Sequence, residues 1–139
     1  MENKEINTLK KEIEDCFYNG KNGLIIISPQ QREEEHKIFY KEVKGNQNLK
    51  VYTAKGVYTT KNGDKLIQKS LVIIGKDADE KLAKEYMKKA NSESVIYNNK
   101  IIFYDGTEKQ FKELRYSDFI NGDSTMLNYH GKKLTFQFA

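Results

Sequence analysis

The chain reads as one α+β domain over residues 1–139: a mixed, mostly antiparallel sheet of about six strands with two or three helices packed on it. Three observations predict this. Leu24–Ile27 and Leu71–Ile74 are short runs of branched apolar residues, the pattern of strands buried on both faces. Residues 1–20 and 77–91 repeat apolar side chains at helical spacing. Between and after them, period-two alternation is punctuated by turn residues. A chain of 139 residues is long enough for one hydrophobic core without staples.

In chain order, Met1 to Gly20 forms a helix whose apolar stripe is Ile6, Leu9, Ile13, Cys16 and Phe17; Asn19, Gly20, Asn22 and Gly23 stop it. Cys16 lies on that stripe with no base beside it, so it reads as a small buried hydrophobe rather than a nucleophile. A single cysteine excludes an internal disulfide and a cysteine-built zinc site. The strand Leu24–Ile27 is followed by Ser28-Pro29, an N-cap and first-turn pair, with Gln31 placed for a capping box. Glu33, Glu34 and Glu35 suit the positive end of this second helix, Lys37, Lys41 and Lys44 its later part, and Gly45 closes it. Those glutamates, and the lack of a glycine-rich loop, argue against a phosphate at its start.

Leu49 to Ile74 reads as an antiparallel pair, with Gly56 a bulge or close-approach point and Asn62-Gly63-Asp64 the hairpin turn. Lys50, Lys55, Lys61, Lys65 and Lys69 interleave there with Tyr52 and Tyr58. Aromatics between lysines suit stacking on bases or nucleotides, although tyrosines of a half-exposed strand also pack on cross-strand neighbours. Asp77, with Glu80 three residues on, caps a third helix carrying Leu82, Ala83, Tyr86, Met87 and Ala90. It is expected to share a sheet face with the N-terminal helix. Ser94–Tyr97 and Ile101–Tyr104 form a hairpin about Asn98-Asn99. Thr107 to Tyr116 reads as a helix with Phe111 and Leu114. The tail reads as two strands, Thr125–Tyr129 and Leu134–Phe138, joined by His130-Gly131-Lys132-Lys133. A terminal strand must pair, and pairing with a second copy leaves a homo-oligomer open.

Gly56-x-Tyr58, Ser70 to Val72, Leu82 to Tyr86 and Glu93 to Tyr97 together resemble a bacterial and phage family, a domain of unknown function built as a small α+β sandwich. The likeness covers roughly the middle third of the chain. Gln68 stands where that family's pattern has Glu, and Ser92 where it has Gln. The resemblance implies a cytoplasmic, phage- or mobile-element-encoded protein and no particular reaction.

A net charge of +4 admits an anionic partner, but of 24 basic residues only Arg32 and Arg115 are arginine, the better reader of phosphates and base edges. A Lys-, Asn- and Ile-rich chain is also what AT-rich coding sequence produces, so solvated lysines are the plainer reading. There is no signal peptide and no apolar run of membrane-spanning length, so a cytoplasmic protein is expected. His36 and His130 lack metal-ligand companions at fixed spacing. Asp105, Asp118 and Asp123 could supply a metal-dependent hydrolase only by converging, and each also sits in a turn context.

Three functions stay open. The first is a non-catalytic protein that acts by occupying a host protein partner. The second is a nucleotide- or nucleic-acid-binding protein using the Lys/Tyr ribbon, and the third the small metal-dependent hydrolase. Candidate ligand-binding residues are Tyr52, Lys55, Tyr58 and Lys69 of the ribbon, with Ser70 and Glu93 from the family-like motifs. No cofactor is expected.

Overall fold

The computed structural model describes residues 2–30, 32–59, 63–116 and 124–139. The chain order is α1 (Glu2–Glu14), a π-helical turn (Asp15–Asn19), β1 (Gly23–Ile27), α2 (Glu33–Lys44), β2 (Leu49–Thr59), β3 (Lys65–Gly75) and α3 (Glu80–Lys89). Then follow β4 (Ser94–Tyr97), β5 (Lys100–Phe103), β6 (Glu108–Gln110), β7 (Leu114–Tyr116), β8 (Ser124–Tyr129) and β9 (Lys132–Phe138). The strands form a single sheet in the order β6-β5-β4-β1-β3-β2-β8-β9-β7, and each strand pairing is antiparallel. This is the expected α+β domain, with nine strands among the described residues instead of about six. Among the described residues no helix is long and apolar enough to cross a membrane.

β1 lies between β3 and β4, and all five of its residues are buried. Its alternation divides the core. Ile25 and Ile27, with Leu71 and Ile73 of β3, meet Phe39 and Val43 of α2 and Ala83, Tyr86 and Met87 of α3. Leu24 and Ile26, with Val72 and Ile74, meet Leu9, Ile13, Cys16 and Phe17 on the other side. The first and third helices therefore cover opposite faces, which corrects the expectation that they share one. Both helices are amphipathic, and only the path of the chain around β1 decides which face each takes.

The sheet curls. Laid flat, nine strands would span roughly 38 Å from the first to the last. Yet β6 and β7, the two edges, are joined by Phe111–Glu113 alone, a link that reaches at most about 14 Å. The edges must bend towards each other around the α1 side. Leu114, Leu127, Leu134 and Phe136 of the far strands are buried in the same cluster as α1. Two tyrosines tie the β7 edge down: Tyr18 Oη accepts from Leu114 N–H at 3.1 Å, and Tyr116 Oη donates to the Lys10 carbonyl at 3.1 Å.

Several local expectations change. α2 begins at Glu33 with Arg32 in the cap position, not at Ser28-Pro29. Ser28 is instead buried with its hydroxyl 2.6 Å from that of Ser70, and Gln30 N–H donates to the Ala90 carbonyl. Gln31 lies outside the described residues. The cap of α3 is Asp79, whose carboxylate accepts from Leu82 N–H at 2.8 Å, whereas Asp77 receives the Asn48 amide at 3.1 Å. Gly56 forms no bulge: it continues the ladder opposite Gln68 on one side and Thr125 on the other. Residues expected as one helix, Thr107 to Tyr116, are the two edge strands β6 and β7.

The β2–β3 hairpin is present, with Thr59 opposite Lys65; Asn62 of its turn lies outside the described residues. The β8–β9 turn is tighter than expected. His130 and Gly131, both with positive φ (49° and 82°), link the paired residues Tyr129 and Lys132. Gly23 and Gly75 face each other across β1 and β3, where loops pass so close that a Cβ would meet Ala78 O at 1.4 Å or Asn48 O at 1.9 Å.

Candidate anion-binding cleft

α2 and α3 cover only part of their sheet face. Beyond the N-terminal end of α2 the sheet floor continues as β3, β2, β8 and β9, and a cleft of about 390 Å³ lies there. Period two decides which side chains it receives. On β2, the face shared with Leu49 and Val51 carries Thr53 and Lys55; on β3, the face shared with Leu71 and Ile73 carries Lys69. Lys55 stands directly opposite Lys69 on one side and Met126 of β8 on the other. One step inward, Thr53 is opposite Leu71, and Asn128 is opposite Lys133 of β9. His36 comes from α2, three residues before the buried Phe39 and on the same helical stripe.

Lys55, Lys69, Lys133 and His36 line the cleft, and among the described residues no carboxylate does. None of the three lysines forms an ion pair among the described residues. Like charges directly opposite on paired strands repel each other, so the Lys55–Lys69 pair works against the fold. Burial first, then the Lys69 ammonium, hold the His36 imidazole below its ordinary pKa of 6.5. At neutral pH it therefore stands as a neutral hydrogen-bonding group beside three cations. The lining also includes Thr53 and Asn128, hydrogen-bonding and exposed, the apolar Met126, and the buried Ala54, Ser70, Leu71 and Leu127.

Of the six candidate residues, the cleft gathers Lys55, Lys69 and Ser70. Ser70 is buried and its hydroxyl is taken by Ser28, so the side chain serves the fold. Tyr52 is on the opposite face, packed among the α1 cluster with its ring centroid 5.8 Å from that of Tyr129. Burial, then Glu12, then Tyr129 push its phenol up to about 12. It does not reach the lysines. The side chain of Tyr58 lies outside the described residues. Glu93 is exposed after α3, where its carbonyl accepts from Tyr104 N–H at 2.9 Å, and it is no part of the cleft.

Sequence reasoning missed His36, Thr53, Met126, Asn128 and Lys133. His36 had a signal, its place on the Phe39–Val43 stripe. Lys133 and Asn128 had none, because only the register of β8 and β9 brings them to β2.

Other candidate chemistry lies elsewhere. Burial, with Glu12 and Asp15 nearby, pushes the Cys16 thiol up to about 11, which keeps it protonated at neutral pH. Asp105 accepts from Thr107 Oγ1 at 2.6 Å and Thr107 N–H at 2.9 Å, and these bonds lower its pKa, as a turn aspartate's would be. Asp118 and Asp123 lie outside the described residues. Among the described residues no three His, Cys, Asp or Glu are grouped so as to hold a metal ion. No protein-family model, no curated protein and no solved structure matches the chain.

Proposed function

We propose that the protein is a small non-catalytic binding protein that captures a phosphate-bearing anion in this cleft. The observation that carries the reading is the meeting of three lysines from three strands, without a carboxylate among the described residues, around a concave floor. Fold stability alone gives no reason to place Lys55 against Lys69, whereas a bound anion neutralises both. Lysine suits the task as a compact, mobile point charge, less selective in geometry than arginine. The cleft offers hydrogen bonds and positive charge but, among the described residues, no nucleophile with an activating base, which favours holding a ligand over transforming it.

The chain has nine tyrosines and no tryptophan, so a co-purified nucleotide would stand out at 260 nm. Protein isolated from its native host is expected to release a phosphorylated compound on denaturation, identified by mass spectrometry. Charge removal at Lys55 and Lys69 should abolish that retention and leave the melting behaviour intact. Retention unchanged in the double variant would reject the cleft as the site.

A second reading, occupation of a host protein by a cytoplasmic phage-type protein, is favoured by Ile67 and Leu66 of β3. They lie just beyond Lys69 and stay 70% and 46% exposed. An Ile67→Asp variant should then lose a partner captured from host lysate by the tagged wild type. Equal capture by both would remove that reading.

A further inference from the structure

Resting on the anion-site reading, we infer that the ligand is a free nucleotide, its phosphates on Lys55 and Lys69 and its base over Met126. The floor is a mixed surface. Lys55 and Lys69 sit on adjacent strands, so their stems start about 5 Å apart and both ammonium groups can reach one phosphate chain. Beside them the side chains of Thr53 and Asn128 make no hydrogen bonds to other described residues, and both face the cleft. An amide presents a donor and an acceptor together, which is what the edge of a nucleobase needs. Met126, between Lys55 and the β9 strand and only half-buried, supplies apolar surface for a ring. Lys133, opposite Asn128, adds a third cation at the far side.

Two observations favour a free nucleotide over a nucleic-acid strand. Strand-binding surfaces stack successive bases on aromatic side chains along an extended groove. Here Tyr52, three residues before Lys55, packs on the opposite face, and among the described residues no tyrosine or phenylalanine lines the cleft. The cleft volume, about 390 Å³, is also that of a small-molecule pocket, with His36 of α2 walling one end.

The test is calorimetric titration of the full chain at low salt. The ligands are the common ribonucleoside diphosphates, inorganic pyrophosphate and a short oligothymidylate. At least one diphosphate nucleotide should bind about tenfold or more tighter than pyrophosphate, the gain from one or two added polar contacts and an apolar ring. Asn128→Ala should erase that gain and leave pyrophosphate binding unchanged, while Lys55→Gln/Lys69→Gln should weaken both about tenfold or more. Pyrophosphate binding as tightly as every nucleotide would overturn the nucleotide inference and leave the anion site standing. The same holds if the oligonucleotide binds tighter than any nucleotide. If no anion binds, both readings fall.

Discussion

Lys69→Gln should make the protein more stable while it weakens ligand binding. The side chains of Lys55 and Lys69 are paired directly across β2 and β3, and neither has an acidic partner among the described residues. Side chains opposite each other start about 5 Å apart and splay, so the two charges stand about 7 Å apart. Both lysines are exposed, so water's dielectric applies, and the repulsion is about 0.6 kcal/mol before screening. Glutamine keeps most of the stem and removes the charge. For a domain of this size the gain corresponds to a rise in Tm of about 2 °C. Physiological salt has a screening length near 8 Å, so the gain should shrink steadily with added salt. Paired denaturant and thermal unfolding at low and high salt, beside a pyrophosphate titration, reads all three effects. A variant that melts below the wild type at low salt would refute the reasoning. It would mean that the Lys69 stem supports the fold and is not held there at a cost for a ligand.

Other consequences can be checked independently. Gly23→Ala places a Cβ 1.4 Å from the Ala78 carbonyl oxygen, so β1 or the loop before α3 must shift; a loss of about 3 kcal/mol is expected in denaturant unfolding. Asp79→Ala removes the Leu82 N–H cap of α3 and should cost about 1 kcal/mol by the same assay. His36, with its pKa lowered, is neutral in the fold at pH values where the unfolded chain has begun to protonate. Its contribution to stability is therefore lost as pH falls from 6.5 towards the folded value. A bound anion favours the charged imidazole, so affinity should rise over that same window. Sulfate, whose charge is constant there, is the probe, and His36→Gln should flatten the profile; an unaltered profile would remove His36 from the site.

What was legible in the sequence was local. Leu24–Ile27 and Leu71–Ile74 announce central strands because their branched side chains leave no polar face, and both are buried throughout. The β8–β9 hairpin shows in alternating Leu134, Phe136 and Phe138 and in His130-Gly131. What failed was non-local or ambiguous by chemistry. Edge strands of three residues carry too little pattern to separate Thr107 to Tyr116 from a helix. Ser28-Pro29 has helix-start chemistry, but the buried serine is held at the strand end by Ser70. Asp77 and Asp79 are equal caps by composition, and only geometry gives the N–H of Leu82 to the latter.

The site divides in the same way. Tyr52 and Lys55 are three residues apart in one strand, so the sheet's own period sends them to opposite faces and breaks the Lys/Tyr ribbon. Lys55 and Lys69 share a face because their register is set by the apolar pairs on either side, Val51 with Ile73 and Val57 with Ile67. Asn128 and Lys133 arrive from strands that come after α3 and four further strands.

Backbone amide shifts recorded by nuclear magnetic resonance, during titration with pyrophosphate and then with a nucleoside diphosphate, would locate the anion on the protein. An anion held in the cleft should give saturable shifts centred on His36, Thr53, Lys55, Lys69, Met126, Asn128 and Lys133, reduced in Lys55→Gln/Lys69→Gln. Shifts centred elsewhere, or none at low salt, would contradict the cleft as the site.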